Sequence, residues 1–199
     1  MKKGETGLNP DFAAQVAALY RDMEAAYDQT AHALNFSCRG CPDNCCDSYF
    51  LHHTYTEWAY LWQGLRTLGE GQLQDITAKA AANVSQSEVA LAKGERPILM
   101  CPLNKDGLCL LYPYRLMICR LHGIPATFTR PDGQQRDFPG CFRCQEHVSG
   151  QAAVEPLDRT QFFRRLVELE LRLLGRRTIM PARVKLTIAQ MIAKGPPAL

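Results

Sequence analysis

Cysteine is the residue type in this chain whose number and spacing point most directly to chemistry. Nine is an odd number, so complete disulfide pairing would leave one thiol over, and 199 residues is far longer than the small secreted scaffolds that depend on disulfides. The N-terminal residues lack the apolar segment and cleavage site of a signal peptide, which predicts a reducing, cytoplasmic location. Clustered thiols in such a compartment favour metal binding over disulfides. The candidate metal ligands are Cys38, Cys41, Cys45, Cys46, Cys101, Cys109, Cys119, Cys141 and Cys144.

Four of these thiols fall within nine residues. Cys38 and Cys41 form a Cys-x-x-Cys turn, in which backbone N–H groups face the first sulfur and both sulfurs can point at one centre. Four thiolates satisfy tetrahedral Zn²⁺ and a [4Fe–4S] cluster equally well. Cys45 and Cys46 are adjacent, and neighbouring side chains diverge in an extended chain. One of that pair is therefore expected to face a different metal, bridge two metals or stay free.

The other five thiols come later in the chain. Cys101 and Cys109 are predicted to lie across a β-hairpin, and Cys119 follows at the end of a short helical turn. Cys141 and Cys144 form another Cys-x-x-Cys. Nine thiols suffice for two four-ligand sites plus one, or for a single multinuclear site, and the spacing leaves both arrangements open.

The elements that must position these thiols are predicted to be mainly helices. Apolar residues recur at helical spacing in five segments with recognisable start and stop signals, at about 10–34, 56–69, 72–93, 156–175 and 181–193. Between 97 and 144 the pattern changes to short β-prone pieces, with Asp-Gly turns that predict two hairpins. The predicted fold is a single domain over 1–199. It is mainly α with a small irregular β segment, a cysteine-rich metal core framed by helices, and a C-terminal helical extension over 150–199.

The ordered motifs over 36–122 resemble the CxxCxxCC cysteine-cluster proteins, also called YkgJ-type and described as zinc- or iron-chelating. The resemblance is carried by Cys38, Cys41 and Cys45-Cys46, then Thr56-Glu57, Cys101-Pro102-Leu103, the segment Gly107-Leu108-Cys109-Leu110-Leu111-Tyr112-Pro113-Tyr114-Arg115, and Cys119-Arg120. The chain departs from the family pattern in having three residues between Cys41 and Cys45 and Leu116 where the family has proline.

The resemblance implies metal binding without an agreed reaction. The family is also similar to the cysteine-rich part of flagellin lysine N-methylase, which makes an iron–sulfur cluster an alternative to zinc. This chain is shorter than expected for such a methylase and shows no separate substrate domain. The cofactor is therefore expected to be an iron–sulfur cluster or zinc, and the question of enzymatic activity stays open.

Three polar residues near Cys119 are candidates to support the metal site from outside. Arg115 and Arg120 flank this cysteine, and guanidinium groups would stabilise surplus thiolate charge. The alternative for both is an ordinary ion pair with a carboxylate. Tyr112 is a third candidate, with a core position or a backbone hydrogen bond as its alternative. His122 and His147 each follow a cysteine by three residues and are weaker candidates as nitrogen ligands.

Several functional classes receive no support from the sequence. The net charge is only +3, and the basic stretch from Arg159 to Lys185 is interleaved with acidic and apolar residues, which indicates a solvated helix face rather than a nucleic-acid site. The sequence contains no membrane-length apolar run, Gly-rich phosphate loop or catalytic triad. Two alternatives to a metal-dependent activity remain. One is a zinc-stabilised scaffold for a partner that the sequence does not identify, and the other is a thiol redox protein using Cys45-Cys46 or Cys141 and Cys144.

Overall fold

The computed structural model describes residues 7–39, 41, 45–150, 155–175 and 181–199. The predicted fold class is confirmed, because the described chain is mainly helical with two small sheets. The helices are α1 (Pro10–Ala33), α2 (Tyr55–Leu65), α3 (Glu70–Ala92), α4 (Met117–Leu121), α5 (Phe142–Val148), α6 (Thr160–Leu174) and α7 (Ile188–Ala193). The strands are β1 (Asn104–Lys105), β2 (Leu108–Cys109), β3 (Ala126–Thr129), β4 (Gln135–Phe138) and β5 (Leu157–Asp158).

Helix α1 begins as its sequence predicts. The Asn9 side chain accepts a hydrogen bond from the Asp11 N–H at 2.9 Å, and Pro10 occupies the first helical position, where no N–H is needed. Val16, Leu19 and other apolar residues of one face are fully buried. This long helix ends just before the first cysteines.

Helix α2 starts one residue earlier and ends four residues earlier than predicted. Its cap is Thr54, whose hydroxyl accepts from the Glu57 N–H at 3.1 Å. Glu170 of α6 fixes the same helix start, since its carboxylate accepts from the backbone N–H groups of Tyr55 and Thr56 at 2.8 Å each. This contact joins helix α6 directly to the start of helix α2.

The first hairpin is shorter than predicted and places its cysteines differently. Strands β1 and β2 pair antiparallel, with Cys109 opposite Asn104, so Cys101 lies before the paired residues rather than across from Cys109. The turn uses Asp106 and Gly107, both with positive φ (52° and 86°), as the Asp-Gly signal predicts.

The second hairpin forms as predicted and gains a third strand. Strands β3 and β4 pair antiparallel from Ala126–Phe138 to Thr129–Gln135, and β5 pairs parallel with the other edge of β3. The Asp158 carboxylate accepts from the Thr160 N–H at 2.8 Å just before α6, whose N-cap is Arg159, and Gly175 ends that helix with φ 62°.

Three segments differ from the sequence prediction. Cys119 lies on α4, a helix separate from the 3₁₀ turn that contains Pro113. Cys144 lies on α5, at the end of the stretch predicted to consist of short β-prone pieces, and Cys141 is the residue before that helix. The last helix begins after the Thr187 cap instead of near 181, because Leu186 bridges in extended conformation to His52.

The buried apolar residues form two clusters. The first, called the α1 core, joins one face of α1 to α4, α5, α6 and β3, and it contains Cys144 with Cys141 packed against it. The second, called the α7 core, joins α2, α3 and α7 to the first hairpin, and Cys101 and Cys109 pack against it. Cysteines therefore pack in or against both hydrophobic cores. Within the described ranges, none of the helices has the length and apolar character needed to cross a membrane.

Candidate metal centre

The structure divides seven of the nine cysteines into two groups. The first thiol group is Cys46, Cys101, Cys109 and Cys119, and it gathers thiols from three separate segments. The Cys101 N–H donates to the Cys46 carbonyl at 2.9 Å, which holds the 45–47 turn against the start of the first hairpin. Burial and then the neighbouring Cys119, Cys46 and Cys109 raise the pKa of Cys101. None of the nine cysteines, all of which the structure describes, is in a disulfide bond.

Cys46 is the thiol in the first group whose surroundings favour the charged form. Its pKa is lowered to about 6, chiefly by a hydrogen bond with Cys45 and further by the Asn104 amide and the Arg115 guanidinium, which together outweigh burial. The same contact raises the pKa of Cys45, with burial adding to it. Of the adjacent pair, Cys46 therefore carries the negative charge, and Cys45 is an exposed neutral donor beside it.

The two hairpin cysteines receive backbone hydrogen bonds from residues two positions further on. The N–H of Leu103 lowers the pKa of Cys101, and the N–H of Leu111 lowers that of Cys109, although burial is the larger effect and the pKa of each thiol is raised overall. N–H groups aimed at a sulfur stabilise its thiolate form. Backbone N–H groups therefore face the sulfurs of Cys101 and Cys109. The Cys-x-x-Cys spacing had predicted such a contact for Cys38.

Cys119 completes the first thiol group from α4. Burial raises its pKa to about 12, and the thiols of Cys109 and Cys46 and the carboxylate of Glu57 add to this effect. Such a thiol is neutral at pH 7 until a cation replaces its proton.

A buried carboxylate fixes the helix that carries Cys119. Glu57 is 4% exposed, and its Oε1 accepts from the Met117 N–H at 3.2 Å and lies 3.5 Å from His52 Nδ1. Its Oε2 accepts from the Thr54 hydroxyl at 2.9 Å. Burial raises the pKa of Glu57, but the contacts with His52, Thr54 and Met117 lower it overall. Glu57 therefore joins the start of α2 to the start of α4 as a carboxylate.

For Arg115 and Arg120 the ion-pair alternative is observed, and their role beside a metal stays a prediction. The two guanidinium groups bind the Glu24 carboxylate of α1, each at 3.3 Å, as ordinary ion pairs. Arg115 also lowers the pKa of the thiols of Cys46, Cys109 and Cys119, and Arg120 lowers that of Cys109. The two arginines therefore place positive charge beside the first thiol group while they are anchored to α1.

Arg120 is also a structural clamp. It is 6% exposed and donates to the carbonyls of Pro113 at 2.7 Å and Arg115 at 2.8 Å, which closes the segment between the 3₁₀ turn and α4. Tyr112 is half exposed, and its ring lies under the Arg115 guanidinium with 3.6 Å from the guanidinium carbon to the ring centre. Tyr112 therefore contacts Arg115 at the surface and is not a buried core residue.

The second thiol group is Cys38, Cys141 and Cys144, and it lies against the α1 core. The Tyr27 hydroxyl is 3.6 Å from the Cys38 Sγ, within hydrogen-bonding distance for sulfur. Burial, the bond to Cys38 and the charges of all three thiols raise the pKa of Tyr27. Cys144 is fully buried, and burial, Cys141 and Cys38 raise its pKa to about 11.

Close backbone contacts hold the start of α5 beside Gly123, next to the second thiol group. The Cys141 N–H donates to the Gly123 carbonyl at 3.1 Å, and a side chain at Gly140 would stand 2.7 Å from that same oxygen. The His147 Nε2 lies 3.0 Å from the carbonyl of Leu34 at the end of α1, so this nitrogen donates a hydrogen bond and is not a free ligand. The other weakly predicted histidine, His122, packs edge-on against Phe50 with ring centres 4.9 Å apart.

Two predicted ligands lie outside both groups. Cys45 contacts Cys46, and the charges of Cys119 and Cys38 both raise its pKa, so it lies between the groups. Cys41 is exposed and lines a cleft of about 520 Å³ together with Arg39, Arg143, Glu146 and His147. The turn that joins Cys41 to Cys38 is held by an N–H to carbonyl bond of 3.1 Å.

The fit of a metal to these residues rests on chemistry more than on preformed geometry. Over the described ranges, no three His, Cys, Asp or Glu side chains are arranged to hold a metal ion together. One buried donor near Cys46, the Arg115 Nε, lacks a hydrogen-bond partner among the described residues. Such a donor is costly to leave unpaired, and an added anionic centre would satisfy it. The sulfurs, the Asn104 amide and the guanidinium are groups that would suit a thiolate-bound metal, but the sulfurs would have to move closer together to hold one.

Sequence reasoning missed the residues that surround the thiols. Glu24 and Tyr27 lie on α1, and Asn104 lies in the first hairpin, where each looked like an ordinary polar residue of its element. The Thr-Glu pair of the family-like motif was the one available signal for Glu57. Comparison with known proteins adds no assignment, since the chain matches no protein-family profile, no curated protein and no solved structure.

Proposed function

We propose that this protein binds metal, either zinc or an iron–sulfur cluster, through the first thiol group, Cys46, Cys101, Cys109 and Cys119. The observation that carries the proposal is that four cysteines from three chain segments lie within electrostatic range of one another, beside Arg115 and backbone N–H donors. Four thiolates are a complete ligand set for tetrahedral zinc or for one [4Fe–4S] cluster.

Charge balance supports the same proposal. Four thiolates around one Zn²⁺ carry a net charge of about −2, which is costly to bury without nearby cations. Arg115 and Arg120 supply two positive charges, only part of which Glu24 neutralises. The Asn104 amide beside Cys46 and the Arg115 Nε, which has no hydrogen-bond partner among the described residues, offer further donors.

The two cofactors lead to different roles. Zinc with all four positions filled by sulfur would be a closed structural site, and the protein would act as a metal-stabilised scaffold for a partner. An iron–sulfur cluster would supply electron transfer or support a reaction on a bound substrate. Either role suits nine free thiols in a reducing compartment such as the cytoplasm, and the resemblance to the CxxCxxCC cysteine-cluster proteins supports both.

The test is a count of metal and acid-labile sulfide per chain, with a visible spectrum, on protein purified without oxygen. Iron with matching sulfide and a broad band near ~400 nm assigns a cluster. Colourless protein with zinc assigns the structural site. Protein that contains neither, and that takes up neither Zn²⁺ nor iron and sulfide after reduction, contradicts the proposal.

Thiol redox chemistry is the second candidate, and the lowered pKa of Cys46 favours it. A thiol with a pKa of about 6 is a thiolate at neutral pH, and Cys45 stands beside it as a second thiol. This candidate requires Cys46 to react in a protein that carries no metal. Fully metal-free protein that retains its fold and exchanges thiols through Cys46 would favour it over metal binding.

A further inference from the structure

We propose that Cys38 and Cys41 form a reversible disulfide that exchanges with small disulfides carrying carboxylate groups. Both cysteines lie outside the first thiol group, so this inference goes beyond the proposed metal site and does not depend on it. It also differs from thiol redox chemistry at Cys46, because the reacting sulfurs belong to another turn of the chain. Three features carry the inference: a closed turn, a hydroxyl beside one sulfur and a positively charged cleft beside the other.

The first feature is the turn that contains both thiols. The Cys41 N–H donates to the Cys38 carbonyl at 3.1 Å. A hydrogen bond between residues at this spacing closes a β-turn, whose first and fourth Cα atoms are less than about 7 Å apart. Disulfides join cysteines whose Cα atoms are about 4.4–6.8 Å apart, and rotation about the Cα–Cβ bond sets the sulfur positions. The backbone therefore holds the two cysteines at a separation that a disulfide can span.

The second feature is the Tyr27 hydroxyl, which lies 3.6 Å from the Cys38 Sγ. A hydrogen bond donated to a sulfur stabilises its thiolate form, which is the form that attacks a disulfide. The hydroxyl is held in place on its other side, where a side chain at Gly123 would stand only 2.9 Å from it. Cys38 is nevertheless exposed, as is Cys41, so both sulfurs are accessible to a reagent.

The third feature is the cleft beside Cys41. Its volume of about 520 Å³ is that of a pocket for a small molecule. Arg39 and Arg143 line it, and Glu146, which pairs with Arg143 at 3.6 Å, is the one carboxylate among its described lining residues. One positive charge is therefore in excess, and guanidinium groups bind carboxylates through paired N–H donors. A small disulfide that carries carboxylates matches this charge, and a cationic disulfide does not.

The exchange takes two balanced steps. The Cys41 thiolate attacks one sulfur of the small disulfide, which forms a mixed disulfide on Cys41 and releases one thiolate. The Cys38 thiolate then attacks the Cys41 sulfur, which forms the Cys38–Cys41 disulfide and releases the second thiolate. The protein loses two electrons, the small disulfide gains them, and the two protons of the protein thiols end on the two released thiols.

The experiment maps disulfides in full-length protein purified without oxygen. The protein is equilibrated with reduced and oxidised glutathione at a series of ratios, quenched with acid, alkylated and analysed by peptide mass spectrometry, with bound metal counted in parallel. A disulfide between Cys38 and Cys41 should form at a lower proportion of oxidised glutathione than any other, without loss of metal. In Cys38→Ser the glutathione adduct should accumulate on Cys41, because the second step is blocked.

Two probes of opposite charge test the role of the cleft. Arg143→Gln should slow the reaction of Cys41 with oxidised glutathione by about two- to fivefold, as loss of one exposed ion pair does. It should not slow the reaction with cystamine, a cationic disulfide. Arg136→Gln is the matched control, because Arg136 lies exposed on β4 and does not line the cleft. This control should leave both rates unchanged.

Failure to form the Cys38–Cys41 disulfide, or glutathione adducts spread equally over the exposed cysteines, would overturn the proposal. Loss of bound metal in Cys38→Ser, in Cys41→Ser or on oxidation of the pair would also overturn it, because these thiols would then be metal ligands. Equal slowing of both probes in Arg143→Gln would overturn the class of substrate. Absence of metal from the wild-type protein, with the disulfide formed as expected, would contradict the proposed function alone.

Discussion

The two thiol groups differ in the polar groups that surround their sulfurs. Around Cys46 and Cys109 the structure places a backbone N–H donor, an amide and two arginines, and Cys46 is shifted toward its thiolate form. Around Cys144 the surroundings are apolar, and burial shifts this thiol toward its neutral form. Burial also raises the pKa of the other three thiols of the first group, so the contrast rests on Cys46.

This contrast supports placing the proposed metal at the first thiol group. Arg115 and Arg120 lie beside these sulfurs and would compensate the negative charge of bound thiolates. In the second thiol group the Tyr27 hydroxyl stands beside Cys38, and Cys144 is enclosed by apolar residues. The cysteines lie near one another in both groups, and the two groups differ in the polar side chains that surround them.

Removal of one ligand from the first group is expected to have the largest effect. Cys109→Ser should abolish the metal of that site, and a structural zinc of this kind contributes on the order of 10 kcal/mol to folding. Thermal unfolding with metal analysis measures both losses. Cys41→Ser is the control, because Cys41 is exposed and lies outside this group. Equal loss of first-site metal in both variants would contradict the assignment.

Thiol reactivity tests the contrast in metal-free, reduced protein. The pKa of Cys46 is lowered to about 6 and that of Cys144 is raised to about 11, so at pH 8 their thiolate fractions differ by on the order of 10³. Alkylation followed by peptide mass spectrometry should show fast modification of Cys46, slowing as the pH falls below about 6. Equal alkylation rates at Cys46 and Cys144 would contradict the difference in pKa between these two thiols.

Glu57→Gln should destabilise the fold by about 2–4 kcal/mol, because it removes a buried charge that His52, Thr54 and the Met117 N–H support. Its pKa is lowered in the folded protein, so its stabilisation is present above the ordinary value of 4.5 and is lost as pH falls below it. Urea unfolding from pH 7 to pH 3 measures both effects.

The matched control for Glu57 is Glu146→Gln near the second thiol group. Glu146 pairs with Arg143 at 3.6 Å on the surface, and its side chain is 66% exposed. Its replacement should change stability by less than about 0.5 kcal/mol. A Glu57 variant as stable as the Glu146 variant would show that α4 does not depend on this carboxylate.

The smallest expected effect concerns Tyr27. Tyr27→Phe removes the hydroxyl beside Cys38, which lies outside the first thiol group, and should leave the metal affinity of the first group unchanged. Competition with a chelator measures this affinity. A loss of about tenfold, as removal of a hydrogen bond to a metal ligand gives, would show that Cys38 belongs to the same centre.

The helices were largely predictable because their signals are local. Asn9 and Pro10 mark the start of α1, and Gly175 marks the end of α6, within a turn of the helix concerned. Helix α5 was missed because its seven residues are too few to show a helical repeat. The hairpin was predicted, but its length placed Cys109 opposite Asn104 instead of Cys101.

The division of the cysteines could not be predicted from their spacing. Cys38 and Cys46 lie eight residues apart, yet one faces Tyr27 and the other is bound to Cys101. Arg159 was expected on a solvated face because of its charged neighbours, but the chain enters α6 from β5 at this point and buries it. Such placements depend on how distant segments pack, which a local pattern does not encode.

X-ray absorption at the metal edge of full-length protein purified without oxygen tests the central claim most directly. We predict a first shell made of sulfur, with metal–sulfur distances near ~2.3 Å, and for a cluster an additional iron–iron shell. A first shell of nitrogen and oxygen, or protein that binds no metal even after reduction and loading, would contradict the account of a thiolate-bound centre.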